Sequence, residues 1–144
     1  IFSIGRLDRN TSGVLLLTND GNLSNNLTHP SRKIEKVYQV TLDQQVPQST
    51  LKKLLQPQYV DNDYLEPVSL FYSNPLDKQR LVLTIHSGQN RIVKRLFKTW
   101  GYNVKNLDRI AFAGLHKNSL KPGAWRYLKT PEINKLMNKA GLLS

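Results

Sequence analysis

The sequence predicts an α+β domain built on a mixed, mostly antiparallel sheet with flanking helices. Three observations carry this. Strand-like and helix-like runs follow one another without the regular strand–helix–strand alternation of a parallel sheet. Lys36 to Leu42 alternates, with Val37, Gln39 and Thr41 on one side and Tyr38, Val40 and Leu42 on the other, the pattern of a strand with one buried face. Arg91 to Trp100 puts Ile92, Val93, Leu96, Phe97 and Trp100 on one helical face and Arg91, Lys94, Arg95 and Lys98 on the opposite one.

Residues 1 to 4 read as the end of a strand, so the chain is expected to be a fragment that starts in mid-element. Val14 to Thr18 is a short apolar run of strand formers, expected to be buried. Asn19-Asp20-Gly21 turns the chain into a helix over Asn22 to Thr28, with Leu23 and Leu27 four apart and Pro30 as the stop. Ser49 can cap a helix running through Leu55. Val68 to Tyr72 and Leu81 to His86 read as strands joined through the Asn74-Pro75 turn. Asn90 is the expected N-cap of the basic helix and Gly101 its stop. A strand at Val104 to Leu107 follows, then a Gly114 turn and the Lys121-Pro122-Gly123 turn into Trp125 to Leu128. A last helix is capped by Thr130, has Pro131 and Glu132 in its first turn, and ends at Gly141.

Length and composition bound the rest. The 144 residues show no linker and no repeat, which predicts one domain over 1–144 with a real core. No apolar run approaches the ~20 residues of a spanning helix. Cysteine is absent, which excludes disulfides and thiolate metal sites and fits a cytoplasmic setting. The loudest global feature is charge: 21 Lys and Arg stand against 10 Asp and Glu, a net +11. Between Arg80 and Lys129 lie eleven Lys or Arg and a single acid, Asp108. So lopsided a distribution fits a polyanionic partner, most simply nucleic acid, better than general solubility.

Two stretches carry chemistry. In "GRLDRNTSGVLLLTNDG", residues 5 to 21, Asp8 lies between Arg6 and Arg9 in front of a turn made by Thr11, Ser12 and Gly13. An ionised, oriented carboxylate can attack a sugar carbon or stabilise positive charge developing there. On the residues alone, a charged turn is the simpler account. In "IHSGQNRIVKRLF", residues 85 to 97, a strand ends, Gly88 turns, and a helix begins whose polar face is basic and free of acids. A solvated face normally mixes signs. Helix-start N–H groups and cations together suit phosphate. Elsewhere the signals are weak. His29, His86 and His116 lack metal-ligand spacing, and the acids Asp61, Asp63 and Glu66 do not follow a calcium-loop pattern. Trp100 and Trp125 read as core residues, and Tyr38 by itself as an ordinary strand aromatic.

Taken together and in order, "IGRLDRNTSGVLLLTNDG", "EKVYQV", "SGQNRIVKRLF", "LDRIAFAGL" and "LKPGAWRYL" resemble the RsuA/RluB branch of the RNA pseudouridine synthases, over nearly the whole chain. The resemblance implies an α+β fold with an RNA-binding cleft across its sheet. It implies isomerisation of a uridine in ribosomal RNA, large-subunit RNA by the RluB likeness, with neither metal nor cofactor. It makes Asp8 the catalytic aspartate, Tyr38 the residue that packs on the target base, and Lys94 the cation paired with Asp8. Arg6, Arg9, Thr11, Asn90, Arg91, Arg95 and Lys98 become the expected RNA contacts. A monomer in the cytoplasm is expected. The family's small N-terminal RNA-binding domain and the first strand of its catalytic domain have no counterpart in these residues. The competing reading is an RNA-binding module of the same fold that performs no chemistry.

Overall fold

In the computed structural model, which describes residues 1–142, the chain opens with a small antiparallel pair, β1 (Phe2–Ile4) and β3 (Leu16–Thr18). Between them the short β2 (Thr11–Gly13) leaves to join the main sheet. Helix α1 (Gly21–Thr28) follows at once, because the Asp20 carboxylate accepts the Leu23 N–H at 3.1 Å and so caps it. Then come β4 (Lys36–Leu42), α2 (Gln48–Leu55), a hairpin of β5 (Gln58–Val60) and β6 (Asp63–Leu65), and the longer hairpin of β7 (Ser69–Asn74) and β8 (Asp77–Ile85). Helix α3 (Ile92–Thr99), β9 (Val104–Phe112), β10 (Leu115–His116) and α4 (Thr130–Lys139) complete the chain.

The main sheet runs β10–β9–β4–β8–β7 with β2 alongside β9. Every pairing along this path is antiparallel and only β2–β9 is parallel, the mixed, mostly antiparallel α+β arrangement expected from the sequence. β4 lies at the centre and its alternation is the expected one. Val40 and Leu42 are buried, and Lys36 and Tyr38 continue the same face toward the strand's start, half-buried. Two apolar cores form. One joins β4, β7 and β8 to α2 and to the apolar face of α3, where Ile92, Val93, Leu96 and Phe97 are all buried. The other joins β1, β3, α1 and α4 to the end of β9 through Ile4, Leu27, Phe112 and Leu136.

Several local expectations are corrected. Val14 to Thr18 is not one buried strand: Leu16 is buried but Leu15 and Leu17 are exposed, because the two-stranded sheet covers a single face. Trp125 to Leu128 is irregular, and Trp125 is 73% exposed, stacked edge-on against Tyr127 rather than in the core. The bidentate pair of Arg126 with Glu132 ties this irregular segment to α4 instead of to a sheet. Trp100 is also exposed, its indole N–H donating to Gln58 Oε1 at 2.8 Å. The N-cap of α3 is Arg91 with φ 52°, not Asn90, and no side chain caps it. The N-caps of α2 and α4 are Pro47 and Lys129, each one residue or two before the Ser49 and Thr130 expected.

Candidate active site

A cleft of about 670 Å³ opens where the two cores meet, within the roughly 300–1,000 Å³ of ligand sites. One wall is the segment Gly5–Arg9 with Thr11, another is the start of β4 with Lys36 and Tyr38, and a third is the stretch 87–93 leading into α3. Arg109 and Phe112 of β9 form the floor. Asp8 is the single acid among the lining residues, against Arg6, Arg9, Lys36, Arg91 and Arg109. No cation lies within ion-pair distance of the Asp8 carboxylate among the described residues, so its oxygens are uncommitted.

The Asp8 loop is held at its far end. Thr11 N–H donates to the Asp8 carbonyl at 2.9 Å and closes the turn. β2 then lies parallel to β9, with Gly13 opposite Arg109. A Cβ on Gly13 would fall 2.2 Å from the Arg109 carbonyl oxygen, and its φ of +123° also demands glycine. The Arg109 guanidinium donates to the Val14 carbonyl through Nε at 2.9 Å and Nη2 at 2.7 Å. Thr11 Oγ1 is buried and has no hydrogen-bond partner among the described residues.

A bulge brings Arg109 to Tyr38. β4 and β9 pair Lys36 with Phe112 and Val37 with Ala111, then skip Ile110 and pair Tyr38 with Arg109. A regular ladder would place Tyr38 opposite Ile110. The extra residue re-aims the strand, as bulges beside functional sites do. Burial pushes the Tyr38 phenol upward, and the adjacent Arg109 pulls it part of the way back, while the Asp8 charge pushes it up again. The phenol therefore stays protonated at neutral pH.

Lys36 and Arg109 are the site residues that sequence reasoning missed. The Lys36 ammonium donates to the carbonyls of His86 at 3.0 Å and Ser87 at 3.4 Å. Burial, assisted by Arg109, lowers its pKa to about 8. A signal was available for Lys36: it lies two residues before Tyr38 on an alternating strand, hence on the same face. None was available for Arg109, whose place depends on the bulge.

Of the expected site residues, Asp8, Tyr38, Arg6, Arg9, Thr11, Asn90 and Arg91 are brought together around the cleft. Three are not. Lys94 makes no ion pair with Asp8; it lines a separate depression of about 330 Å³ with Asn10, Lys105 and Asn106. The apolar face of α3 fixes its rotation on the sheet, and the Arg91–Lys94 stripe then points toward the start of β9, with Leu107 between the two cavities. Arg95 is corrected as well. Its guanidinium is taken by Asp63 Oδ2 at 2.8 Å, Asp61 Oδ2 at 3.1 Å and the Asn90 carbonyl, so it braces α3 on the β5–β6 hairpin instead of facing a ligand. The helix face carries no acid of its own, but the hairpin supplies two. Lys98 is exposed and lines neither cavity.

Among the described residues no group of three or more His, Cys, Asp or Glu side chains gathers as a metal site requires, and no helix is long and apolar enough to cross a membrane. A mixed sheet crossed by a cationic cleft with one uncommitted carboxylate defines an α+β domain charged for a polyanionic ligand. The chain belongs to the RNA pseudouridylate synthase family, whose model matches residues 1–99. It is 38% identical over 143 residues to an uncharacterized RNA pseudouridine synthase of Aquifex aeolicus, covering 99% of this chain and 57% of that protein. It is 38% identical over 140 residues to ribosomal large subunit pseudouridine synthase B of Bacillus subtilis, covering 94% of this chain and 57% of that one. A solved pseudouridylate synthase superposes with a TM-score of 0.83 at 34% identity, over 93% of this chain and 58% of that chain. An archaeal box H/ACA Nop10–Cbf5 complex, at 16% identity and a TM-score of 0.52, shares the fold. The chain thus spans a little over half the length of the relatives it matches.

Proposed function

We propose that this chain carries the centre that isomerises a uridine of ribosomal RNA, large-subunit RNA by its likeness to the Bacillus subtilis synthase B. One observation carries the reading. Asp8 and Tyr38 come from different elements and meet in a cleft where Asp8 is the single acid among basic residues. An RNA-binding module without chemistry has no use for an uncommitted carboxylate there, which lowers its affinity for phosphate.

In this reading an Asp8 carboxylate oxygen attacks C1′ of the target uridine and the C1′–N1 bond breaks. The uracil turns against the flat Tyr38 wall, C5 bonds to C1′, and the carboxylate is released. The C5 proton leaves and N1 gains one, so the reaction is balanced by protein side chains without a redox partner or cofactor. A base in a duplex must first leave its stack. Arg6, Arg9 and Arg91 at the rim, with Lys98 and Lys94 beyond it, hold the flanking phosphates. The Thr11 hydroxyl is a spare hydrogen-bonding group at the base of the Asp8 loop.

The test is Asp8→Asn in the intact protein. Asn keeps the shape and removes the charge, so pseudouridine formation is expected to vanish while RNA affinity holds or rises slightly. Turnover by Asp8→Asn would sink the assignment, and a wild-type protein that binds ribosomal RNA but forms no pseudouridine would leave the binding module.

A further inference from the structure

Lys36 is a cation at the back of the cleft with no carboxylate partner among the described residues. Its ammonium is held by the carbonyls of His86 and Ser87, at 3.0 and 3.4 Å, which leaves one N–H without a partner among the described residues. Its Nζ also stands 5.9 Å from the centroid of the Phe112 ring, and the guanidinium carbon of Arg109 lies 4.7 Å from the same centroid. Arg109 is 2% exposed. Two cations thus share an apolar ring in a cleft with one acid. Buried charge is ordinarily paired, because desolvation penalises it. An unpaired pair of like sign is therefore a place prepared for an anion from outside.

We propose that Lys36 is a further catalytic residue, whose free N–H hydrogen-bonds a carbonyl oxygen of the target uracil and stabilises the negative charge that the ring carries once its glycosidic bond has broken. The proposal rests on the isomerisation reading above. When C1′–N1 breaks, the electron pair stays with the uracil and spreads over its nitrogens, its oxygens and C5. It returns to C1′ through C5 when the new bond forms. Lys36 gives up no proton in this sequence; its hydrogen bond strengthens as the charge appears and weakens as it leaves. The strand repeat supports the placement: Lys36 and Tyr38 share a face about 7 Å apart along the chain, so a ring lying on Tyr38 presents its edge to Lys36. Two of the five Arg109 N–H groups are taken by the Val14 carbonyl, which ties its guanidinium to the segment that follows the Asp8 loop.

The experiment is single-turnover pseudouridine formation on a ribosomal RNA fragment by the intact protein, comparing wild type, Lys36→Met and Lys36→Arg between about pH 6 and 10. Lys36→Met is expected to lose about 100-fold or more in rate, with RNA affinity within about threefold of wild type. Lys36→Arg is expected to keep more of the rate than Lys36→Met. The wild-type rate should fall as Lys36 loses its proton around pH 8, while the Arg variant keeps its rate there. The other charged groups of this neighbourhood, Arg109 on β9, Asp8 on its loop, Tyr38 on the same strand and His86 with Glu35 beyond the carbonyls, are present in both proteins, so the difference isolates Lys36. Thermal melting of both variants separates a folding defect from a catalytic one. A Lys36→Met rate within about threefold of wild type, or the same alkaline fall in Lys36→Arg, overturns the proposal. A wild-type protein that makes no pseudouridine overturns the underlying reading instead, and this role with it.

Discussion

Arg109 and Val14 hold each other by side chain and backbone together. The guanidinium donates through Nε and Nη2 to the Val14 carbonyl, at 2.9 and 2.7 Å, and Val14 N–H donates back to the Arg109 carbonyl at 2.9 Å. Through this clamp the segment that presents Asp8 is fixed to the strand that faces Tyr38.

Arg109→Met is expected to cost about 2–4 kcal/mol in urea unfolding, because the Val14 carbonyl loses a charged donor that reaches it through two N–H groups and a large buried side chain is replaced. Arg109→Lys restores the charge without the planar fork, so only part of that loss should return. An unfolding midpoint unchanged in Arg109→Met would show that the clamp is not what holds the loop.

Gly13→Ala should be worse than its size suggests. The added Cβ meets the Arg109 carbonyl at 2.2 Å and the φ of +123° is closed to alanine, so strand β2 must detach from β9. A loss of about 3 kcal/mol or more is expected in chemical denaturation, since strain and a broken parallel pairing add.

Salt dependence of RNA binding separates the two arginines of the basic helix. Arg91 is exposed at the rim and borders both cavities, so Arg91→Ala should reduce the log–log slope of affinity against salt by about one. Arg95 is engaged by Asp61 and Asp63, so Arg95→Ala should leave that slope unchanged and cost about 1 kcal/mol of stability instead. Binding titrations at several salt concentrations read the first effect and thermal melts the second.

Lys36 gives stability a pH signature of known sign. Its pKa is about 8 in the folded chain against an ordinary lysine value of 10.5, so between these the unfolded chain binds more protons and stability rises with pH. Tyr38, shifted upward, acts with the opposite sign and higher, lowering stability as pH climbs past the usual tyrosine range. Lys36→Met should abolish the rise and be more stable than wild type near pH 7 by about 1–2 kcal/mol, the shift being discounted for the part of the side chain that water reaches. Urea melts at about pH 7, 8, 9 and 10 would check this. A residue whose removal stabilises the fold while slowing the reaction is placed for function.

Much of this was legible in the residues because it is local. The alternation of Lys36 to Leu42 and the apolar stripe of Ile92, Val93, Leu96 and Phe97 depend on a strand's or a helix's own period. Asp8, Tyr38 and Arg91 were legible through the family likeness of their short motifs. Features set by distant pairing were not. Arg95 looked free because its partners, Asp61 and Asp63, lie some thirty residues earlier on a hairpin. The family likeness made Lys94 the partner of Asp8, and the residues could not test that, because periodicity gives a helix's polar side but not its rotation on a sheet. Trp125 looked like core because aromatic residues usually are, yet its segment is held by the polar Arg126–Glu132 pair.

Ile110 matters most for the position it occupies. Skipped in the pairing with β4, it still has a use for its carbonyl, which accepts the Lys117 N–H at 3.1 Å. It acts as a phase shift written into β9: residues before it match Tyr38 and those after it match Lys36, one step out of time with each other. The number of residues between Arg109 and Phe112 is therefore under as much constraint as their chemistry. Removing Ile110 would delete no charged group and open no large cavity, yet the two basic residues of the pocket floor and wall could no longer keep their present neighbours at once. In this domain a single-residue change of length within a strand is a change in the lining of the cleft.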